Sequence, residues 1–217
     1  MLSLILAAAL SASAPSDGTY TYVASMNGTQ VEKTTVTVKH DPSGKIVLSE
    51  SASGNFNGRS GSISDALTLD DSLAPVEYSA LASIADSRSM KAALAFTGAQ
   101  AIQSGDVSKT YDLVADAKHF IVLDFGPFSG YFVLPAQMQA WKDAPAIAIV
   151  PMYGQGVPIV VDKTVVAQRP KSVPATDAHL SVSTPVAFTI WYDPKTLLVD
   201  ELDVPSQDVS VTRQSTP

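Results

Sequence analysis

His40, His119 and His179 are the three histidines of this chain. None has a second ligand at the spacing of an HxxxH or HExxH helix, so a transition-metal site would have to be assembled by the fold. Cysteine is absent (Cys 0), which removes thiolate ligands, a thiol nucleophile, disulfides and lipid attachment through cysteine. There is no GxSxG elbow, and Gly58-Arg59-Ser60-Gly61 reads as loop. Asp124-Phe125-Gly126 spells a kinase triplet without the Gly-rich and His-Arg-Asp loops that would give it a metal. Gly154-Gln155-Gly156 lacks the third glycine and the following helix of a dinucleotide site, and reads as a turn between strands. Asn27-Gly28-Thr29 fits a glycosylation acceptor, but a hairpin turn explains the same residues. A glycosidase needs only two carboxyl groups about 5 to 10 Å apart. Asp70/Asp71 and Asp200/Glu201/Asp203 are the clusters, each in a turn or on an alternating strand, where a solvated face is the simpler reading. No catalytic residue, metal ligand set or cofactor motif is assigned.

The remaining chemical signal is apolar. Phe120, Phe125, Phe128, Tyr131, Phe132, Met138 and Trp141 fall between positions 120 and 141. Such residues normally fill a core, and they are also what lines a large apolar cavity. These seven are therefore the candidate ligand-binding residues.

The elements that must position them are strands. Tyr20, Tyr22, Ala24 and Met26 alternate with Thr19, Thr21, Val23 and Ser25, the period of a half-buried strand. Asn27-Gly28 supplies the positive φ values of a type I′ turn into a second strand over 31–39. Asp41-Pro42-Ser43-Gly44 turns into a strand over 46–50. Alternation resumes at Ile63, Leu67 and Leu69, over 76–83 after Pro75, and at Met90, Ala92, Leu94 and Phe96, with weaker strands over 100–103 and 109–114. Residues 119–141 break the rhythm: Pro135 suits the first position of a helix of one or two turns within 129–142, with Leu134, Met138 and Trp141 sharing a face. Strands over 146–151 and 157–167, a Pro-rich stretch over 169–175, a hairpin about Asp193-Pro194-Lys195 and a last strand over 208–212 follow. Short strands at meander spacing, without long helices between them, predict an all-β antiparallel sheet that is curled or sandwiched. The expected fold is an unclosed or half barrel with one short helical insertion; the alternatives are a closed lipocalin-like barrel and a β-sandwich.

At 217 residues a single core can bury roughly 70% of the unfolded surface. Charged residues make up 16% and hydrophobic residues 46%, with mean hydropathy +0.15, a globular composition. A net charge of −7 argues against nucleic acid as a partner. Residues 1–14, MLSLILAAALSASA, carry an apolar run followed by small residues, the pattern of a signal peptide ending near residue 16, and the run is too short to span a bilayer. The expected organisation is a leader over 1–16 and one domain over 17–217, in the periplasm or secreted.

Leu69-Asp70-Asp71-Ser72-Leu73-Ala74-Pro75-Val76-Glu77-Tyr78, a helical insertion after Leu123-Asp124, and the closing Ile190-Trp191-Tyr192-Asp193-Pro194-Lys195-Thr196-Leu197-Leu198-Val199 hairpin together resemble bacterial periplasmic proteins of the lipoprotein-carrier half-barrel type. More closely, they resemble an uncharacterised relative family with the same unclosed barrel. The resemblance implies a curved sheet cupping a hydrophobic space and no catalytic residues. The expected function is non-catalytic binding or transport of an apolar ligand, a lipid or acyl chain, in the concave face, with residues 120–141 controlling access. The alternatives are a carboxylate-dependent hydrolase of envelope glycans and an interaction module that pairs with an envelope protein through an open sheet edge.

Overall fold

A computed structural model describes residues 14–214 other than 57, 115, 125, 163, 166 and 185; residues 1–13 of the expected 1–16 leader and Phe125 lie outside the described residues. The chain forms β1 (Gly18–Met26), β2 (Thr29–His40), β3 (Ile46–Phe56), β4 (Arg59–Leu69), β5 (Pro75–Ile84), β6 (Met90–Phe96), β7 (Gln100–Gly105), β8 (Lys109–Asp112) and β9 (His119–Val122). Helix α1 (Ser129–Ala140) follows, then β10 (Ala146–Val150), β11 (Gln155–Val161), β12 (Ala178–Thr184), β13 (Phe188–Tyr192), β14 (Val199–Val204) and β15 (Val209–Arg213).

All strands belong to one 15-stranded sheet in the order β8-β7-β6-β5-β4-β3-β2-β1-β15-β14-β13-β12-β11-β10-β9. The expected all-β, unclosed barrel is what the chain forms. Each neighbour pair is antiparallel except β9 and β10, which α1 connects. A parallel pair needs a crossover of about a dozen residues, and here that crossover drops into the concave side of the sheet. Among the described residues no backbone ladder joins the two ends. Side chains do: Gln103 Nε2 donates to the Pro151 carbonyl (2.7 Å) and Lys109 Nζ to the Gly154 carbonyl (3.0 Å), both in the β10–β11 connection, while Tyr111 OH holds Gln103 through its Oε1 (2.5 Å).

Several local expectations change. The third strand is expected to end at 50 and Gly58-Arg59-Ser60-Gly61 reads as loop, yet β3 and β4 run in register from Ile46/Leu69 to Phe56/Arg59. Each strand satisfies the other's backbone, which overrides weak strand propensity. β11 stops at Val161 because Asp162 Oδ1 takes the Thr164 N–H (2.9 Å) and hydroxyl (2.7 Å) into a local turn. His40 is exposed and pairs with the likewise exposed Asp17 at 2.5 Å.

The helix differs most. It has 12 residues, and Pro135 lies inside it instead of at its start. Almost every side chain from Ser129 to Met138 is buried, as expected of a helix surrounded by sheet on most sides. Its amino end packs so closely that a Cβ on Gly130 would sit 1.9 Å from the Val122 carbonyl oxygen. At its far end Gln137 Nε2 donates to the Leu73 carbonyl (3.0 Å) and Trp141 Nε1 to the Ser72 carbonyl (2.9 Å). The Trp141 ring also stacks on His119, with centroids 4.1 Å apart and planes within 5°. The helix is thus a plug tied at its carboxyl end to the β4–β5 turn.

Two substitutions test this seating in denaturant unfolding. Gly130→Ala is expected to lower stability by about 1–3 kcal/mol through overpacking. Trp141→Ala is expected to lower it by about 3–5 kcal/mol through lost core packing.

Candidate functional site

The amino end of α1 is where polar chemistry collects. A buried helix start leaves backbone N–H groups without partners, and no side chain of its own turn caps α1. The donors are met from the sheet: Glu50 Oε2 accepts the N–H of Phe128 (2.6 Å) and of Ser129 (2.8 Å), and the Ser129 hydroxyl donates to Asp65 Oδ2. Glu50 and Asp65 face each other across the β3–β4 ladder and are 4% and 6% exposed.

The other two oxygens, Glu50 Oε1 and Asp65 Oδ1, are buried with no donor from another residue. Two ionised carboxylates cannot share such a place, so one proton between them satisfies both atoms. Burial, followed by the negative charge of Asp65, holds Glu50 well above the usual carboxylate range despite its two backbone donors. Burial pushes Asp65 up to about 6, partly offset by the hydrogen bonds from Ser129 and Glu50. Both carboxyls are thus held above the usual range, and the pair titrates as a unit.

Beyond this pair, at the end of the barrel that carries the β1–β2, β3–β4 and β5–β6 turns, lies a cavity of about 420 Å³. Its walls are mostly apolar: Ala24, Met26, Ile63, Ala82, Leu202 and Val211 among them, with Phe128 and Tyr131 of the helix start. Three lining groups are polar and buried: Glu32, Thr34 and Asp124. Thr34 Oγ1 donates to Glu32 Oε1 at 2.7 Å. Asp124 accepts from Tyr78 OH at 3.3 Å and from the Met152 N–H at 3.2 Å. Burial raises Glu32 above the usual carboxylate range, with the Thr34 hydroxyl pulling the other way.

Of the seven candidate residues, Phe128 and Tyr131 line this cavity. Phe120 packs on Phe96 with centroids 5.7 Å apart, and Phe132 sits between Tyr20 (5.5 Å) and Tyr22 (6.1 Å). Met138 is core, Trp141 anchors the opposite end of the plug, and Phe125 lies outside the described residues. The two carboxylate clusters serve local structure. Asp70 Oδ1 accepts the Ser72 and Ala74 N–H groups, each at 2.9 Å, and Asp200 pairs with Arg213 Nε at 2.7 Å. Glu201 takes the Ser172 hydroxyl at 2.5 Å. Among the described residues no group of three or more His, Asp or Glu is placed to hold a metal ion.

Glu32, Glu50, Asp65 and Asp124 were missed by the sequence reading, although three of them carry a signal. Glu50 has the parity of Ile46 and Leu48, Asp65 that of Ile63 and Leu67, and Glu32 that of Val36 and Val38, all buried positions. An acid in step with an inward apolar row is a buried acid. Asp124 lies in a loop and carries no such mark.

No protein-family model matches the chain, and no curated protein matches it. By structure it is similar to a beta-barrel-like protein of domain of unknown function DUF1849 from Brucella abortus, with TM-score 0.51 and 6% identity over 93% of this chain and 95% of that one. A DUF1089 family protein from Pseudomonas aeruginosa is also similar, with TM-score 0.49 and 10% identity over 82% of this chain and 90% of that one. The likeness is one of fold. The Brucella protein supports a beta-barrel-like architecture for this chain, and nothing about ligand or reaction comes with it.

The shared proton has a measurable consequence. A carboxyl whose folded pKa is raised favours the fold at low pH, and that contribution is lost as pH rises from its ordinary value of 3.8 through about 6 for Asp65. Asp65→Asn removes this titration. In urea unfolding at pH 4 and pH 7.5, the variant is expected to gain stability relative to the natural protein on going to the higher pH; an unchanged difference would disprove the pairing.

Proposed function

We propose that this protein binds or carries an apolar ligand, a lipid or acyl chain, without catalysis, in the cavity at the open end of the half barrel. The proposal extends to its compartment, the periplasm or the outside of the cell, as the leader pattern suggests, and to a lipoprotein-carrier-like role. The observation that carries the reading is the cavity of about 420 Å³ with chiefly apolar walls. That volume falls within the few-hundred to thousand Å³ of ordinary small-molecule sites. Burying hydrocarbon there would supply about 25 cal/mol for each Å² removed from water. Phe128 and Tyr131 form the floor; the Tyr131 ring is held edge-on by Phe188 at 5.3 Å.

The geometry favours this over glycan hydrolysis. Glu50 and Asp65, the clearest carboxylate pair, do not line the cavity, and their proton is enclosed between sheet and helix. Of the two cavity carboxylates, Asp124 is occupied by Tyr78 and the Met152 N–H. With the helix tied at both ends, a ligand would arrive between the hairpin turns without lifting the plug.

Filling the cavity tests the reading. Ala24 is a small, buried lining residue. Titration with a neutral, environment-sensitive naphthalene probe is expected to show saturable one-to-one binding. Ala24→Trp is expected to weaken it at least about tenfold, roughly 1.4 kcal/mol, while the far-ultraviolet dichroism stays unchanged. Absence of saturable binding to the natural protein would count against the proposal.

A further inference from the structure

The cavity is apolar in its walls but one-signed in its charge. Among the described residues its lining contains Glu32 and Asp124 and no Lys, Arg or His. Glu32 is 7% exposed and stands on β2 opposite Gly54. Its Oε1 takes the Thr34 hydroxyl at 2.7 Å, while Oε2 has no hydrogen-bond partner among the described residues. A carboxylate more than nine-tenths buried, held in one rotamer by a neighbouring hydroxyl and open to a cavity on its other oxygen, is an incomplete hydrogen-bonding site. Oε2 is not one of the enclosed oxygens of the protein; it is accessible from the cavity, where a ligand's donor can meet it. Thr34 is already committed as a donor to Glu32, the lining residues Ala24, Met26, Val209 and Val211 are apolar, and Gln207, also in the lining, makes no hydrogen bond to Glu32.

We propose that the ligand of this cavity is an apolar molecule whose polar end is a hydrogen-bond donor, a primary ammonium above all, received by Glu32 Oε2. The inference rests on the apolar-binding reading and narrows its ligand class. A fatty-acid carboxylate is the wrong occupant, since it would bring a second anion beside Glu32 into a site whose described lining has no cation to offset it. A neutral alcohol can donate one hydrogen bond and suits the site less well than an ammonium, whose hydrogen bond to a carboxylate is charge-assisted. The hydrocarbon would lie against Ala24, Val211 and Leu202, and the donor against Glu32.

Calorimetric titration of the full chain at pH 7.5 with dodecylamine, dodecanol and dodecanoate, each below its micellar concentration, tests the assignment. The amine is expected to bind about tenfold tighter than the alcohol, the gain of one charge-assisted hydrogen bond, and the carboxylate weakest. Glu32→Gln keeps the Thr34 contact and is expected to bring amine and alcohol within about twofold of each other without weakening the alcohol. Repeating the amine and alcohol titrations at pH 4, below the ordinary glutamate range that burial raises for Glu32, is expected to shrink the amine preference in the same way without a substitution. Dodecanoate binding as tightly as dodecylamine, or an amine preference that survives both Glu32→Gln and pH 4, would overturn the assignment while leaving apolar binding in place. Failure of all three ligands to bind would overturn the apolar-binding reading itself, and this one with it.

Discussion

The structure depends on one requirement: a helix start placed inside a β-sheet cup must find acceptors for its free N–H groups. Water is excluded there, and α1 carries no capping side chain of its own. β3 supplies the carboxylate oxygen of Glu50 instead, aimed at the N–H groups of Phe128 and Ser129. Asp65 on the adjacent strand receives the Ser129 hydroxyl. Polar contacts thus lock the helix to the central strands at one end, as Gln137 and Trp141 lock it to the β4–β5 turn at the other. Fixing both ends specifies the position of the plug more tightly than apolar packing alone, which is non-directional. The accompanying penalty is two acids in one dry place, relieved by a shared proton.

The cavity is what the plug leaves over. α1 begins well inside the barrel, so its first aromatic residues, Phe128 and Tyr131, form a floor, and the hairpins rise past it. Inward positions on those hairpins are often small, as at Ala24 and Ala82, and small residues on facing strands do not meet across the gap. The same economy operates where the sheet ends approach each other. There Gln103 and Lys109, with Tyr111 holding Gln103, reach across with side chains to the β10–β11 turn, so the β8 end of the sheet is tied to the far end without being paired as a strand.

Much of the fold was legible in the chain. The alternation of Tyr20, Tyr22 and Ala24, the Asn27-Gly28 turn with φ of 50° and 71°, and the Asp-Pro turns state their conformations locally, because side-chain parity and backbone sterics act over two to four residues. The Ser- and Gly-rich ends of β3 and β4 were not legible, since what keeps them extended is the partner strand. The length of α1 was hidden for the same reason. Pro135 marks a helix start by local rules, and only the acceptor on β3 lets the helix begin six residues earlier.

For the site, the sequence by itself determined the parity of Glu32, Glu50 and Asp65: each falls in step with an inward apolar row, and a strand cannot turn one side chain outward without turning its neighbours. It also determined the aromatic enrichment of residues 120–141. Only the tertiary structure decided which of those aromatics face a cavity and which face the core, because that depends on where the plug sits along the barrel. It alone brought Glu50 to a helix start 78 residues away and left Glu32 with one oxygen open. Contacts of that range are set by the closure of the sheet around the helix, and no local pattern of residues encodes them.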